Sequence, residues 1–449
     1  MDPQQRAHAS PRSATVTPRP PAAAIGSPSS SVKTLRSPEL LNWPPYMGGD
    51  ERTGVHILVV GETAPAKKQA PKQGTPPSKG RRGWVIALIV VLVLAVAGIG
   101  LGVGLSGSGT KPKPKPKVSV PVIPKTLPTG TASRFVGRQG KNLTYDGDWF
   151  RFSGVDNYVM LGCGTSAQQI STPQAQDAFF AGLRAHSVTR LWLFKGANLG
   201  QFDSLLAAAA RHGQFVLPTL ADGVGGCGES VKDVAWLRSG YKGDYLTWLR
   251  TVAQRYKASP TIMMWDLINE PPRTDPTALR AFIDDAGAIL HSVDPNHLVT
   301  VGTNLPSEYQ GTTGYGTIFS SPQIDAVSLH EYDQLPSASH HLAEALATAT
   351  AVNKPVIIGE YGVFASPNGD PNTKSANGSP CLSFAARATL VRAKLADDFK
   401  QPGVAGALYW SFTANTHSEC SLETFAGDSL MSQINAADLY PGVARLHRQ

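Results

Sequence analysis

The C-terminal two-thirds of the chain, residues 132–449, is predicted to fold as an α/β protein, a (β/α)₈ TIM barrel. Two observations predict this fold. Eight short apolar runs recur from residue 152 onward, and stretches with apolar residues at three- and four-residue spacing separate them. Eight such alternations over about 300 residues fit a closed barrel better than an open doubly wound sheet, which the sequence alone leaves as the alternative.

The predicted strands cover 152–160, 188–194, 214–220, 261–269, 297–303, 325–332, 355–362 and 404–412. The helical patterns between them cover 172–187, 201–213, 243–257, 276–293, 340–352 and 384–399. The connection at 304–324 is rich in glycine and serine and has no clear apolar periodicity, so no helix is predicted there.

The segment before the barrel is predicted to contain a membrane anchor. Residues 84–105 are 22 residues without a charge, long enough to cross a hydrocarbon core of about 30 Å, so a transmembrane helix is predicted at 83–106. A cleaved signal peptide is the alternative, but its apolar region would be shorter and closer to Met1. Residues 1–82, rich in Pro, Ser, Ala and Lys, are predicted to be a disordered tail, and 107–131 a Lys/Pro-rich linker.

The topology of this anchor is predicted from charges and cysteines. Basic residues flank both ends of the apolar run, and Arg81 and Arg82 lie nearest to it. All four cysteines lie C-terminal to it, an even number compatible with two disulfides in an oxidising space or with four buried thiols. We therefore expect a single-pass protein in the cell membrane, with a cytoplasmic N-terminus and an extracellular barrel. Glycines spaced by four residues within 98–104 allow weak dimerisation through the helix.

The charge distribution argues against nucleic acid as a ligand. Residues 1–127 hold 17 Lys and Arg against 5 Asp and Glu, whereas the other 322 residues hold 24 against 28. The basic excess therefore belongs to the leader, and the mildly acidic barrel suits a neutral polymer such as a polysaccharide.

Polar residues at predicted strand ends are the candidates for chemistry, because barrel active sites lie at the C-terminal ends of the strands. Glu270 and Glu360 each follow an apolar run, where an unpartnered carboxylate is costly to bury. Either glutamate alone could be a salt-bridged structural acid. Two facing carboxyl groups, however, allow glycoside hydrolysis. The other candidates are Asn157, Tyr158, Arg190, Trp192, Asn269, His330, Tyr332 and Trp410.

Four motifs resemble one enzyme family. The segments WDLINEPP at 265–272 and IIGEYG at 357–362, with LHEY between them and LYWSF after them, are similar to the cellulase and mannanase group of glycoside hydrolase clan A, family 5. The resemblance covers about 135–415. It implies that Glu270 is the acid/base and Glu360 the nucleophile of a retaining mechanism that needs no metal and no organic cofactor.

The resemblance also implies roles for the residues around this pair. Asn269 would hydrogen-bond the sugar 2-hydroxyl, and Arg190 and Tyr332 would hold Glu360. His330 would line the same subsite, and Trp410 would present a flat apolar face to the sugar ring. Without the motifs, an ion pair, a core histidine and a core aromatic are the alternatives for Arg190, His330 and Trp410.

From these roles we expect the carboxyls to lie about 5–5.5 Å apart. Arg190 should keep the pKa of Glu360 low, and an apolar setting should raise that of Glu270.

The expected function is hydrolysis of a β-linked polysaccharide of the mannan or glucan type outside the cell. The segment DPNHLVTVG at 294–302 is similar to mannanase-like members of the family. A catalytically silent, membrane-anchored carbohydrate-binding protein and a transglycosylase are the alternatives. The sugar, the linkage and the pairing of the cysteines stay open at this point.

Overall fold

The computed structural model describes residues 134–165, 168–332, 340–374 and 380–441. The predicted tail at 1–82, membrane helix at 83–106 and linker at 107–131 lie outside the described residues, as does the proposed dimer contact. Among the helices that are described, none combines the length and apolar character needed to cross a membrane.

A closed barrel of eight parallel strands forms the centre of the fold, as the sequence predicts. Its strands are β4 Phe152–Asp156, β5 Val188–Trp192, β6 Phe215–Thr219, β7 Met264–Asn269, β8 Leu298–Thr303, β9 Val327–His330, β10 Val356–Tyr361 and β14 Val404–Tyr409. The last strand pairs in parallel with the first, with Tyr409 opposite Val155, and this pairing closes the barrel. All eight predicted strands are confirmed, with shorter bounds than the apolar runs.

Two small sheets lie outside the barrel. The first is antiparallel and contains β1 Gly137–Gln139, β2 Asn142–Tyr145 and β3 Asp148–Phe150. Its Leu143 and Phe150 are buried together with Phe152 and Phe215 from the starts of two barrel strands. This sheet therefore covers the N-terminal end of the barrel and leaves the C-terminal end for a site. The second contains β11 Ala365–Ser366, β12 Asp370–Lys374 and β13 Pro380–Ser383.

Helices follow the strands along the chain. They are α1 Pro173–Ala181, α2 Leu199–Arg211, α3 Val234–Arg238, α4 Asp244–Tyr256, α5 Pro276–Val293, α6 Gly311–Phe319, α7 His340–Ala351, α8 Phe384–Asp398 and α9 Ser429–Ala436. Several begin at a residue whose side chain accepts a backbone N–H of the first turn, as Thr172, Asn198 and Asp275 do. These caps satisfy backbone donors that the first turn of each helix leaves without an intrahelical partner.

Helix α6 corrects the prediction that 304–324 contains no helix. Tyr315, Ile318 and Phe319 on this helix are fully buried against the rest of the fold. A Cβ on Gly314 would lie 1.9 Å from the carbonyl oxygen of Tyr309, so glycine is needed there for close packing. Burial of one face stabilises the helix although its glycines disfavour it, and local sequence cannot reveal that burial.

Both pairs of cysteines form disulfides between loops that follow barrel strands. Cys163, after β4, pairs with Cys227, after β6, with Cα atoms 5.3 Å apart. Cys381, after β10, pairs with Cys420, after β14, with Cα atoms 5.8 Å apart. Each bridge therefore ties two loops at the C-terminal end of the barrel, and the alternative of four free thiols is excluded in this structure.

Candidate active site

Glu270 and Glu360 lie at the same end of the barrel. Glu270 directly follows β7, and Glu360 is the next-to-last residue of β10. The side chain of Glu360 is 4% exposed and that of Glu270 is 11% exposed, so both carboxyls are largely withdrawn from water. One oxygen of each carboxyl and one ring nitrogen of His330 all lie within 4.8 Å of one another.

Arg190 on β5 connects four side chains that come from three other strands. Its Nη1 donates to Glu360 Oε1 at 2.7 Å and to Asp156 Oδ1 at 3.0 Å. Its Nη2 donates to Asn269 Oδ1 at 2.8 Å, and its Nε donates to Asp266 Oδ2 at 3.0 Å. Only 1% of its side chain is exposed, so a single buried cation serves three carboxylates.

Glu360 receives a second strong donor from Tyr332, whose hydroxyl donates to Oε2 at 2.6 Å. Burial raises the pKa of the Tyr332 phenol well above its ordinary value, so the hydroxyl stays protonated and remains a donor. Burial also raises the pKa of the Glu360 carboxyl, and His330, the charge of Arg190 and the Tyr332 hydrogen bond oppose this rise. The expectation of a low pKa for Glu360 is therefore wrong in its net direction, because burial outweighs these opposing influences.

Glu270 has weaker partners. His330 Nδ1 lies 3.1 Å from Glu270 Oε1. Burial raises the pKa of Glu270, and the positive charge of Arg273 is the main opposing influence. The direction expected for Glu270 agrees with this result.

The backbone at Glu270 adopts an unusual conformation, with φ of 42°, in the left-handed region that non-glycine residues rarely occupy. Its N–H donates to the carbonyl oxygen of Gly302 on β8 at 2.8 Å. A Cβ on Gly223 would lie 2.1 Å from the carbonyl oxygen of Glu270, so the backbone segments at 223 and 270 pass very close to each other. Neighbouring segments on both sides therefore hold this backbone in a conformation of higher energy.

His330, the last residue of β9, is completely buried between the two glutamates. Its Nδ1 lies 3.5 Å from Glu360 Oε1, besides its contact with Glu270. Burial lowers the pKa of His330 to about 4, so the ring is neutral at neutral pH. Glycine at 302 leaves room for the ring, since a Cβ there would lie 2.9 Å from Nε2.

Asn269 already uses both ends of its amide. Its Oδ1 accepts from Arg190, and its Nδ2 donates to Asp222 Oδ1 at 2.8 Å. An amide nitrogen has two donors, so one N–H of Asn269 is left for a further acceptor such as a sugar hydroxyl. Asp222 fixes the orientation of this amide.

Trp410 directly follows β14 and belongs to a row of aromatic rings. Its ring centroid lies 5.5 Å from that of Trp192 and 5.4 Å from that of Tyr158. Trp192 in turn lies beneath Arg190, whose guanidinium carbon is 4.7 Å from the ring centroid. Trp410 is only partly buried, as a platform for a ligand must be. Asn157 is fully buried, and its side-chain amide has no hydrogen-bond partner among the described residues.

The carboxyl pair and His330 could in principle hold a metal ion. However, Arg190 already places a full positive charge 2.7 Å from Glu360 Oε1, so a second cation at this oxygen would be repelled. The donor set therefore fits a pair of acids better than a metal site.

Sequence reasoning missed the carboxylates that surround Arg190. Asp266 lies in the quoted motif WDLIN, three residues before Asn269, and its charge inside an apolar strand was the available signal. Asp156 occupies the last position of β4 in the same way. Asp222 carried no such signal, because it lies in a loop after β6.

Comparisons with known proteins point to the same family as the four motifs. Residues 233–396 match the sequence model of the family described as cellulase, glycosyl hydrolase family 5. The mannan endo-1,4-beta-mannosidase 8 of Oryza sativa subsp. japonica is 25% identical over an alignment of 296 positions, which covers 50% of this chain and 78% of that protein. The mannan endo-1,4-beta-mannosidase 7 of Arabidopsis thaliana is 26% identical over an alignment of 360 positions, which covers 64% of this chain and 79% of that protein.

Among solved structures, the endo-1,4-beta-mannanase from Rhizomucor miehei aligns with a TM-score of 0.53 at 21% identity, covering 68% of this chain and 98% of that one. This likeness supports the barrel fold. The resemblance that the four motifs indicate is therefore confirmed: the barrel of this chain is similar to glycoside hydrolase family 5, in its cellulase and mannanase group.

Proposed function

We propose that the barrel is an endo-acting, retaining β-mannanase that cleaves β-1,4-linked mannan outside the cell, with Glu270 as acid/base and Glu360 as nucleophile. The observation that carries the proposal is the spacing of the two carboxyls, whose nearest described approach is within 4.8 Å. Retaining enzymes hold this pair about 5–5.5 Å apart, whereas inverting enzymes need about 6.5–9.5 Å to admit a water molecule.

The hydrogen bonds favour this assignment of roles over the reverse one. Glu360 accepts from a guanidinium and from a phenol, at 2.7 Å and 2.6 Å, and both donors stabilise its anionic form. Glu270 has no such cation at hydrogen-bond distance, and its contact with His330 is longer than either of these, at 3.1 Å. Of the two, Glu270 is therefore the better proton donor and Glu360 the better nucleophile.

In the proposed mechanism Glu360 attacks the anomeric carbon while Glu270 protonates the departing glycosidic oxygen. A covalent glycosyl–enzyme forms, and Glu270, now ionised, removes a proton from the water that releases the sugar. Neutral His330 presents the same nitrogen, Nδ1, to both carboxyls, so in one tautomer it donates to a carboxylate and in the other it accepts from a protonated acid.

We propose mannan as the first candidate substrate because the relatives from rice and Arabidopsis described above are named as mannan endo-1,4-beta-mannosidases. The partly exposed ring of Trp410 offers the flat apolar surface on which the CH face of a sugar packs, and Asn269 has one amide donor left for a hydroxyl. β-Glucan is the second candidate, since the same surface suits either sugar.

We also propose that the enzyme is displayed on the outer side of the cell membrane by a single helix at 83–106. The 22 uncharged residues at 84–105 and the basic residues before them support this topology. The two disulfides favour an oxidising compartment for the barrel. Protease added to intact cells should remove the barrel but leave the N-terminal tail; protection of the barrel would overturn the topology.

The test uses the full chain and a panel of β-1,4-mannan, β-1,4-glucan, β-1,3-glucan and xylan. We expect cleavage of mannan, with a β-anomer as the first product by NMR, and loss of turnover in Glu360→Gln with an unchanged melting temperature. Glu270→Gln should lose activity most strongly on substrates with poor leaving groups. An α-anomer as first product would overturn the retaining mechanism. Binding of mannan without cleavage by the wild type would favour the silent carbohydrate-binding alternative, and products longer than the substrate would favour a transglycosylase.

A further inference from the structure

Trp410 is held by a second aromatic ring that none of the motifs includes. The ring of Tyr158 stacks on Trp410 with centroids 5.4 Å apart and planes only 12° apart. Trp192 approaches the same indole at an angle of 39°. Part of one face of Trp410 is therefore covered by Tyr158, and a sugar would pack on the face that Tyr158 does not cover.

Tyr158 is itself anchored at its polar end. Its hydroxyl donates to Glu423 Oε1 at 2.9 Å, across 265 residues of sequence. Gln168 Nε2 donates to the same carboxylate oxygen at 3.1 Å and lies 3.5 Å from the Tyr158 hydroxyl. These contacts hold the hydroxyl end of Tyr158 in place and therefore restrict movement of its ring over the indole.

Glu423 lies on a segment with its own rigid supports. Its carbonyl oxygen accepts from Arg387 Nη1 at 2.9 Å and from His417 Nε2 at 2.7 Å. Arg387 is fully buried and pairs with Asp428, and the Cys420 disulfide lies three residues before Glu423. The anchor is part-buried and is tied to the fold through the buried Arg387 and the disulfide of Cys420.

We propose that Tyr158, held by Glu423, is a positioning residue that sets the angle of the Trp410 sugar platform. The proposal rests on the role of Trp410 in the proposed function. Neither residue reaches the carboxyl pair by any described hydrogen bond, so the effect is on substrate binding and passes through the indole.

The test compares Tyr158→Phe, Glu423→Ala and Glu423→Gln in the full chain, with kcat and KM measured on β-1,4-mannan. Tyr158→Phe and Glu423→Ala should raise KM about fivefold to tenfold and change kcat less than about twofold, because the lost interaction contributes equally to the ground and transition states. Glu423→Gln should restore most of the wild-type KM, since its amide oxygen accepts the same hydrogen bond.

Tyr241→Phe is the matched control. Tyr241 donates to Asp285 at 2.6 Å, another tyrosine–carboxylate hydrogen bond, but its ring packs among Trp236 and Phe282 rather than against Trp410. This variant should lose about as much thermal stability as Tyr158→Phe, because each removes one tyrosine–carboxylate hydrogen bond, and its KM should stay at the wild-type value.

A double-mutant cycle separates positioning from a purely structural role. In a Trp410→Ala background, Tyr158→Phe should no longer raise KM. A KM increase that persists in this background, an unchanged KM in both single variants, or a Glu423→Gln as impaired as Glu423→Ala would each overturn the proposal.

A readout without turnover keeps this proposal distinct from the proposed function. Near-UV circular dichroism, which reports packed aromatic rings, should change in Glu423→Ala and return in Glu423→Gln whether or not any glycan is cleaved. If the wild type cleaves none of the four polymers, the proposed function fails. If only the dichroism and KM effects are absent, the positioning role fails while the enzyme assignment stands.

Discussion

Replacement of Arg190 by methionine should expose how strongly the site depends on one cation. The guanidinium lies within 3.0 Å of Asp156, Asp266 and Glu360, which are all buried. Methionine keeps a similar length but leaves three carboxyls without their counter-charge. Breaking a buried ion pair by removing one partner costs about 3–5 kcal/mol, so we expect a loss of this size in the free energy of unfolding near neutral pH.

The loss should depend on pH in a defined direction. Burial already raises the pKa of Asp156 and of Glu360, and removal of Arg190 raises both further. A carboxyl whose pKa is higher in the folded protein than in the unfolded chain favours folding below its unfolded pKa. That contribution is lost as pH rises through its folded pKa. Arg190→Met should therefore be destabilised more at about pH 8 than at about pH 5.

The same variant should shift the acid limb of the pH profile of kcat/KM upward by about 1–3 units, because Glu360 must ionise to act as the nucleophile. Urea unfolding and initial rates on mannan measure the two effects. Arg387→Met is the control, since Arg387 is equally buried and paired with Asp428 but does not contact Glu360. Equal destabilisation at both pH values, or an acid limb that does not move relative to this control, would refute the reasoning.

Other substitutions test the surroundings of the site. Gly302→Ala would place a Cβ 2.8 Å from Arg190 Nη2 and 2.9 Å from His330 Nε2, so kcat/KM should fall at least about tenfold, with a stability loss of about 1–3 kcal/mol. A Cβ on Gly316 of α6 would have open space around it, with no neighbouring atom within 4 Å. Gly316→Ala should therefore raise the free energy of unfolding by about 0.5–1 kcal/mol in denaturant titrations. Burial raises the pKa of Asp398 to about 7, so its contribution to stability should fall as pH rises from about 4 to about 7; Asp398→Asn should remove up to about 4 kcal/mol of this pH dependence. Reduction of the two disulfides should lower the melting temperature, since each bridge contributes about 2–4 kcal/mol.

Much of the fold was predictable because its signals are local. The eight barrel strands coincide with apolar runs in the sequence. The site residues Asn269 and Glu270 belong to a motif at the end of one of these runs. Helix α6 was missed because its stability comes from burial of Tyr315 and Phe319, which only the assembled fold provides.

The electrostatics of the site were predicted only in part. The contact between Arg190 and Glu360 was expected. The extent to which this pair is buried cannot be derived from the sequence, and burial determines the direction in which the pKa of Glu360 shifts. The link from Glu423 to Tyr158 joins positions 265 residues apart, and no local pattern marks either as a partner of the other. The pairing of the cysteines was equally undetermined, because four cysteines allow three connectivities.

The contacts of Arg190 also bear on when the enzyme can first become active. Its hydrogen bonds reach 34, 76 and 170 residues along the sequence, to Asp156, Asp266 and Glu360. Such long-range contacts form late in folding, after the loop-closure entropy has been overcome. A chain that is still being synthesised holds Arg190 and Glu270 long before Glu360 exists. Hydrolytic activity should therefore appear in one step, only when the barrel has closed, and nascent or truncated chains should be inert toward glycans they meet on the way to their destination.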